Sequence, residues 1–418
     1  MMKLVDVAVV GAGPYGLSIA AHLRSRGLEI RVFGIPMETW QEAMPAGMKL
    51  KSEGFATSLS APRGKMTLGA YCAEHGLRYA DIGIPVALDQ FVAYGKAFQQ
   101  RFVPDLVRQM VVSIEPASHG FNLRTEDGSD TAARRVVVAA GIRFFDYTPP
   151  ELRELPAQYL SHSANCVDAA PLVGKEVIVV GAGASATDTA AFLHSRGINV
   201  TILTRRKAIR FQSPLGERSL WQKISGPMTG LGPGWKAVLC VKAPLLFHAM
   251  PESFRGYVVR RFLGPAPAWF VRESIEGHVP FILESQILGA EVNGNRAVLK
   301  LAGANGEKRS VSADHIVAAT GYRVDVDRLP FLSADIRARL RLADRSPVLS
   351  RNFESSVDGL YFIGAAAANS FGPMLRFVYG ADFASKQLAR HLVSSRRRQS
   401  VSIATQARDT STVASSAQ

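Results

Sequence analysis

Cysteine is scarce: Cys72, Cys166 and Cys240 are the three in the chain, far apart and with no Cys-x-x-Cys pair. That spacing argues against a disulfide framework or a zinc knuckle. It also withholds the paired thiols a dithiol reductase needs to pass electrons onward. His, Asp and Glu show no metal-ligand spacing, so no metal is expected. No apolar run is long enough to span a bilayer. The opening Met1-Met2-Lys3-Leu4-Val5-Asp6 is broken by an acid and followed by a glycine loop. No secretory leader is therefore expected, and the expected location is cytoplasmic.

Of the 418 residues, 47% are hydrophobic and 20% charged, enough for two or three packed domains. The net charge of +14 is concentrated in Arg396-Arg397-Arg398 and in residues 207–284, where ten Lys/Arg face five Glu. Such a surface attracts anions, whether nucleic acid, acidic lipid or phosphorylated cofactor. No nucleic-acid motif accompanies it, so no nucleic-acid partner is expected.

The chain repeats itself at an offset of 170 residues. Residues 11–27 read GAGPYGLSIAAHLRSRG and residues 181–197 read GAGASATDTAAFLHSRG. Each copy lies between two apolar runs, Val7–Val10 and Ile30–Phe33, then Val177–Val180 and Val200–Leu203. Continuous apolar runs of this length suit buried parallel strands, and the segments between them have helical spacing. Each copy is followed by strand-like runs around a turn, Glu126-Asp127-Gly128 or Asn293-Gly294-Asn295, and by a closing run ending in Gly141 or Gly321. Asp-Gly and Asn-Gly turns predict hairpins. The expected fold is α/β, with two Rossmann-like units each carrying a small antiparallel insert.

Gly11, Gly13, Pro14, Tyr15 and Gly16 form the first loop; Gly181, Gly183, Ala184, Ser185 and Ala186 form the second. In such a loop the first glycine allows a tight turn and the second lets backbone approach a pyrophosphate. The third position lets helix and strand pack closely. After the strand of the second unit come Arg205 and Arg206, where a 2′-phosphate would lie. That predicts NADPH. The corresponding point of the first unit has no acid before Glu38, a candidate for the ribose of its nucleotide.

With both loops placed, the chain resembles the two-dinucleotide-binding flavoproteins, and among them the class B flavin-dependent monooxygenases. The likeness spans residues 4 to about 392 and also rests on Ala319-Thr320-Gly321-Tyr322 and Gly359-Leu360-Tyr361-Phe362-Ile363-Gly364. It implies FAD at the first loop and an NADPH domain inserted into the FAD domain. The implied division is 1–145 and 321–393 for FAD and 146–320 for NADPH, with a helical substrate-side insert near 207–285 and a disordered tail over 394–418. Gly321 and Gly364 would mark returns of the chain to the flavin.

The resemblance further implies that Trp40, Met48, Leu50 and Met374 pack on FAD, though for the first three ordinary core packing is the plainer reading. Pro373 with Met374–Leu392 predicts a helix starting near the flavin. Ser52 and Asn369 are the candidate catalytic residues, Ser52 through a hydrogen bond to oxygenated flavin. Ala365 stands where disulfide reductases carry a ribitol-binding Asp, which favours the monooxygenase branch. His162 matches one position of the monooxygenase linker motif FxGxxxHxxxY/W, but its aromatic end is Cys166, which disfavours Baeyer–Villiger chemistry. His162 equally reads as a residue that orients the linker.

The implied activity is N- or S-oxygenation of a small nucleophile through a flavin hydroperoxide, with oxygen as co-substrate. The alternatives are a quinone-type reductase in peripheral contact with a membrane, drawn from the basic aromatic stretch Trp221–Trp269, and a non-catalytic FAD/NADPH redox sensor.

Overall fold

The computed structural model describes residues 4–214, 219–262, 264 and 266–396. Two parallel sheets carry the repeat. In the first, the strands run in the order Leu360–Phe362, Val136–Val138, Val7–Val10, Ile30–Phe33. In the second the order is Leu160–His162, His315–Ala318, Glu176–Val180, Asn199–Leu203, Phe281–Ile282. The glycine-loop strand lies between its closing strand and its second strand in both. The similarity extends to single hydrogen bonds: Gly11 N donates to Phe33 O and Gly181 N to Leu203 O, each at 2.9 Å.

Both hairpin turns form. Gly120–Thr125 pairs antiparallel with Asp130–Ala133 around Gly128, and Gln286–Asn293 with Arg296–Ala302 around Gly294. In the second unit Val177, Val179, Val200 and Ile202 face the helix Ala184–Ser195. Ile178, Val180 and Leu203 face Ala297, Leu299 and Leu301 of the antiparallel insert. A strand buried on both faces must be apolar at every position, which is why these runs lack alternation.

The expected insert is helical, with Leu220–Ser225, Trp235–Lys242, Pro244–His248, Glu252–Arg261 and Arg272–Ile275. It leaves the second unit and packs on the first. Phe247 and Val259 join the first unit's core, and Lys51 Nζ donates to Ala266 O at 3.1 Å.

The chain after Gly372 differs from expectation. Pro373–Arg376 is a 3-10 turn, Phe377 is extended, and the helix begins at residue 380. The cause is Tyr15, whose hydroxyl donates to Leu375 O at 3.0 Å and Phe377 O at 2.7 Å, holding this segment off the helical path. That last helix continues through residue 396, past the expected tail boundary at 394; the remainder of the expected tail lies outside the described residues.

A polar chain, buried at His22 and Ser60 and ending in the exposed Asp382, ties that helix to the first one. The His22 ring Nε2 lies 2.9 Å from Ser60 Oγ, and the Ser60 hydroxyl donates to Asp382 Oδ1 at 2.7 Å. Burial lowers the His22 imidazole from its usual 6.5 to about 4; Asp382 opposes this, while Arg26, Lys386 and Arg390 add to it. The unfolded chain therefore takes up a proton in that window that the folded chain refuses. Stability should fall as pH drops from about 6.5 towards about 4. His22→Gln should flatten this slope by about one proton in denaturant melts across the same range. An unchanged slope would remove His22 from the account.

Candidate dinucleotide site

At the first loop the three glycines have different neighbours. Gly11 has φ +115°, and a Cβ on it would stand 2.3 Å from Ala139 O. A Cβ on Gly16 would stand 1.8 Å from Gly11 O, so the helix packs directly on the turn. Gly13 has nothing within 4 Å of the equivalent position. Two glycines thus serve packing, and the middle one leaves its face open, as a backbone that must approach a diphosphate requires. The helix Pro14–Arg24 begins there, its dipole favouring an anion.

This loop forms one wall of a cleft of about 1180 Å3 open to solvent. Gly34, Glu38 and Trp40 line one end, Ala139–Phe144 the floor, and Gly364, Ala365 and Leu375–Val378 another wall. Glu38 pairs with Arg143, which also lines the cleft. Trp40 lines it too, and its ring meets Phe91 edge-on at 4.8 Å.

Several of the candidate residues do not line this cleft. Leu50 is buried in a two-strand pairing with Val86, Met48 is half-buried against the core, and Met374 is buried; none lines the cleft. Ser52 is half-buried just beyond the Lys49–Leu50 strand and does not line it either. Asn369 donates to Ser346 Oγ at 3.0 Å and lines a second, separate pocket. The chain leaves the cleft wall after Ala365 and returns at Leu375, and the Ala368–Phe371 helix, ended at Gly372 with φ +95°, lies in that excursion.

Tyr15 joins the loop to that wall. Burial holds its phenol well above the usual value. Tyr15→Phe would strand the Leu375 carbonyl in a part-buried joint, since Phe377 O keeps the Gly380 N–H, a loss of about 1–3 kcal/mol. A lower melting temperature together with weaker flavin retention is expected; an unchanged melting temperature would refute the joint.

In the second unit Gly181 has φ +148°, with Ala319 O at 2.4 Å from its Cβ position, and Ala186 is buried at the third position. Gly183 is the N-cap of Ala184–Ser195, whose first two residues are Ala184 and Ser185. Arg205 and Arg206 follow the strand Asn199–Leu203, both exposed. The Arg206 amide is anchored on Thr204 Oγ1 at 3.2 Å, leaving the guanidinium to solvent.

The two chain crossings lie side by side. Tyr147 N donates to Gly321 O at 2.9 Å and Arg323 N to Phe145 O at 2.7 Å. The Arg323 guanidinium stacks 3.5 Å from the Tyr147 ring centre. His162 Nε2 lies 3.1 Å from Gly321 O, and its ring meets Tyr322 edge-on. Burial lowers the pKa of the His162 imidazole. These contacts are those of a linker-orienting residue.

Sequence reasoning missed Arg143, Asp188 and Arg376. Burial pushes the Asp188 carboxyl up to about 7, with Lys51 pulling it down. Burial lowers the Lys51 ammonium, while Asp188 raises it and Arg376 lowers it. Asp188 stands on the second unit's helix and Lys51 and Arg376 on the first unit. The one legible sign was an acid amid the small residues of Ala184–Ser195.

Two glycine-loop Rossmann units joined by a paired crossing, one carrying the nucleotide cleft, define a two-dinucleotide-binding flavoprotein oxidoreductase. The profile of the pyridine nucleotide-disulphide oxidoreductase family matches residues 5–220, and the chain belongs to that family. It is 26% identical to the FAD-dependent urate hydroxylase of Xanthomonas campestris, over 92% of this chain and 84% of that protein. It is 25% identical to the thioredoxin reductase of Bacillus subtilis, over 53% of this chain and 63% of that protein. Among solved structures, the ornithine hydroxylase of Pseudomonas aeruginosa superposes with a TM-score of 0.74 at 16% identity, covering 94% of this chain and 99% of that one. A flavin-containing monooxygenase from Stenotrophomonas maltophilia superposes with a TM-score of 0.65 at 19% identity, with the same coverages.

Proposed function

We propose that the protein is an FAD- and NADPH-dependent monooxygenase that oxygenates a nitrogen- or sulfur-centred small nucleophile. One observation carries this over dithiol reduction: all three cysteines are free and buried, in a fold shared along its length with hydroxylases. The overall balance is NADPH, a proton, O2 and substrate giving NADP+, water and oxygenated substrate.

The first loop fits FAD, because Gly13 leaves open the space a diphosphate needs while its neighbours close the turn. Gly11 to Gly16 would hold the diphosphate, and Glu38, oriented by Arg143, would accept from the ribose. Bound FAD, reduced by NADPH, supplies the electrons and the activation of oxygen. Arg205 and Arg206 would bind the 2′-phosphate of NADPH. Tyr15 and the turn Pro373–Arg376 keep the cleft wall in place. Free cysteines suit a reducing, cytoplasmic compartment.

The test is turnover under 18O2 with NADPH against a panel of amines, thioethers and oxidisable purines. Label in a product, with NADPH and oxygen consumed one to one, is expected. NADPH oxidation that yields only hydrogen peroxide across the panel would count against the reading.

The membrane-surface reductase has one observation in its favour. The insert exposes Leu220, Trp221, Ile224, Trp235, Leu239 and Leu246, next to the exposed Lys236 and Lys242. Apolar and basic side chains together suit an anionic lipid surface. Among the described residues no helix is long and apolar enough to cross a membrane. Cosedimentation with phosphatidylglycerol vesicles but not phosphatidylcholine vesicles, lost in Trp221→Ser/Trp235→Ser, is the expected outcome of such contact. Rapid anaerobic quinone reduction by NADPH would then favour this reading over oxygenation.

A further inference from the structure

We propose that the pocket between the helix Glu252–Arg261 and the turn around Asp344 binds a small organic carboxylate. The pocket holds about 580 Å3 of open space and lies apart from the nucleotide cleft. Arg255 stands on its wall with 9% of its surface exposed. Its Nε is buried without a hydrogen-bond partner, and its Nη1 reaches only Ser370 O, at 3.4 Å.

A buried guanidinium answered by one long bond to a carbonyl is an incomplete arrangement, because a desolvated cation calls for a counter-charge. The walls provide one only in part, through the solvent-screened attraction of the exposed Glu252. Of the two acids lining the pocket, Asp344 is already paired with Arg260 at 2.9 Å. The other, Glu252, is exposed on the rim one turn before Arg255. The Asn369 amide is occupied by Ser346, and Pro347 and Val348 offer apolar wall.

The missing component is therefore a monoanion with a carbon body. A planar carboxylate matches the guanidinium fork. A phosphate dianion would carry excess charge past Glu252. The same helix holds the cleft at its other end, where Arg376 donates to Val259 O at 3.1 Å and Phe262 O at 2.8 Å. An occupant of the pocket and the nucleotide cleft thus share one helix.

The experiment is calorimetric titration of the FAD-loaded protein with acetate, benzoate and inorganic phosphate. It is run in low-chloride buffer with NADP+ saturating, so that the phosphate-binding arginines are filled. One saturable carboxylate site is expected, weakened at least tenfold by Arg255→Lys and tightened about threefold by Glu252→Gln, which removes a repelling charge. No saturable carboxylate binding, phosphate binding tighter than both carboxylates, or undiminished binding in Arg255→Lys would each overturn the assignment. Flavin content and melting temperature verify that the variants fold. If Arg255→Lys does not fold, Glu252→Gln decides, since unchanged or weaker carboxylate affinity in it overturns the proposal. No turnover is measured, so the result is independent of the oxygenation reading.

Discussion

Gly13→Leu should give a folded but colourless protein. Gly13 has φ −84° and ψ −171°, an extended conformation open to any residue, and a Cβ there meets no atom within 4 Å. The fold therefore loses nothing, and the side chain grows into the space a diphosphate would take. Each charge-assisted bond from backbone to phosphate contributes about 1.5–3 kcal/mol. Losing two weakens FAD by at least about a hundredfold. The flavin-to-protein absorbance ratio and a titration with added FAD measure this, with circular dichroism as the check on folding. Gly16→Ala is the contrasting variant. Its Cβ would lie 1.8 Å from the Gly11 carbonyl oxygen, so it should damage the fold itself and not flavin uptake alone. A yellow Gly13→Leu protein with full flavin content would refute the assignment of the cleft.

The second large effect is expected at Arg205. Arg205→Ala should raise the NADPH dissociation constant about tenfold or more, and the double variant with Arg206→Ala further. NADH binding should hardly move, because its ribose carries no 2′-phosphate. Both side chains are exposed, so salt should reduce the wild-type preference. Equal losses for NADPH and NADH would mean that the arginines merely support the loop.

How far the site could be read in advance depended on the range of the interactions involved. The glycine loops were legible because a tight turn, a helix start and a buried strand are each written in consecutive residues. The Glu38–Arg143 pair joins residues 105 positions apart and left no local pattern. The same is true of Lys51 and Asp188, which come from different lobes. The helix expected from Met374 reads correctly as composition. It begins later because Tyr15, over 350 residues earlier, takes the carbonyls of Leu375 and Phe377.

Asn369 shows the limit most plainly. Its place near the end of the flavin lobe made it a catalytic candidate; in the fold it bonds Ser346 and lines the second pocket beside Arg255.

By itself the amino-acid order determined the two Rossmann units, their glycine turns, their hairpins and the basic residues after the Asn199–Leu203 strand. Each of these follows from backbone geometry and apolar spacing over fewer than about ten residues. Tertiary structure alone decided which side chains line the cleft, which charges from different lobes act on one another, and that the Arg255 Nε is left without a hydrogen-bond partner. Those outcomes depend on the distance between residues remote in the chain, and no local periodicity encodes that distance.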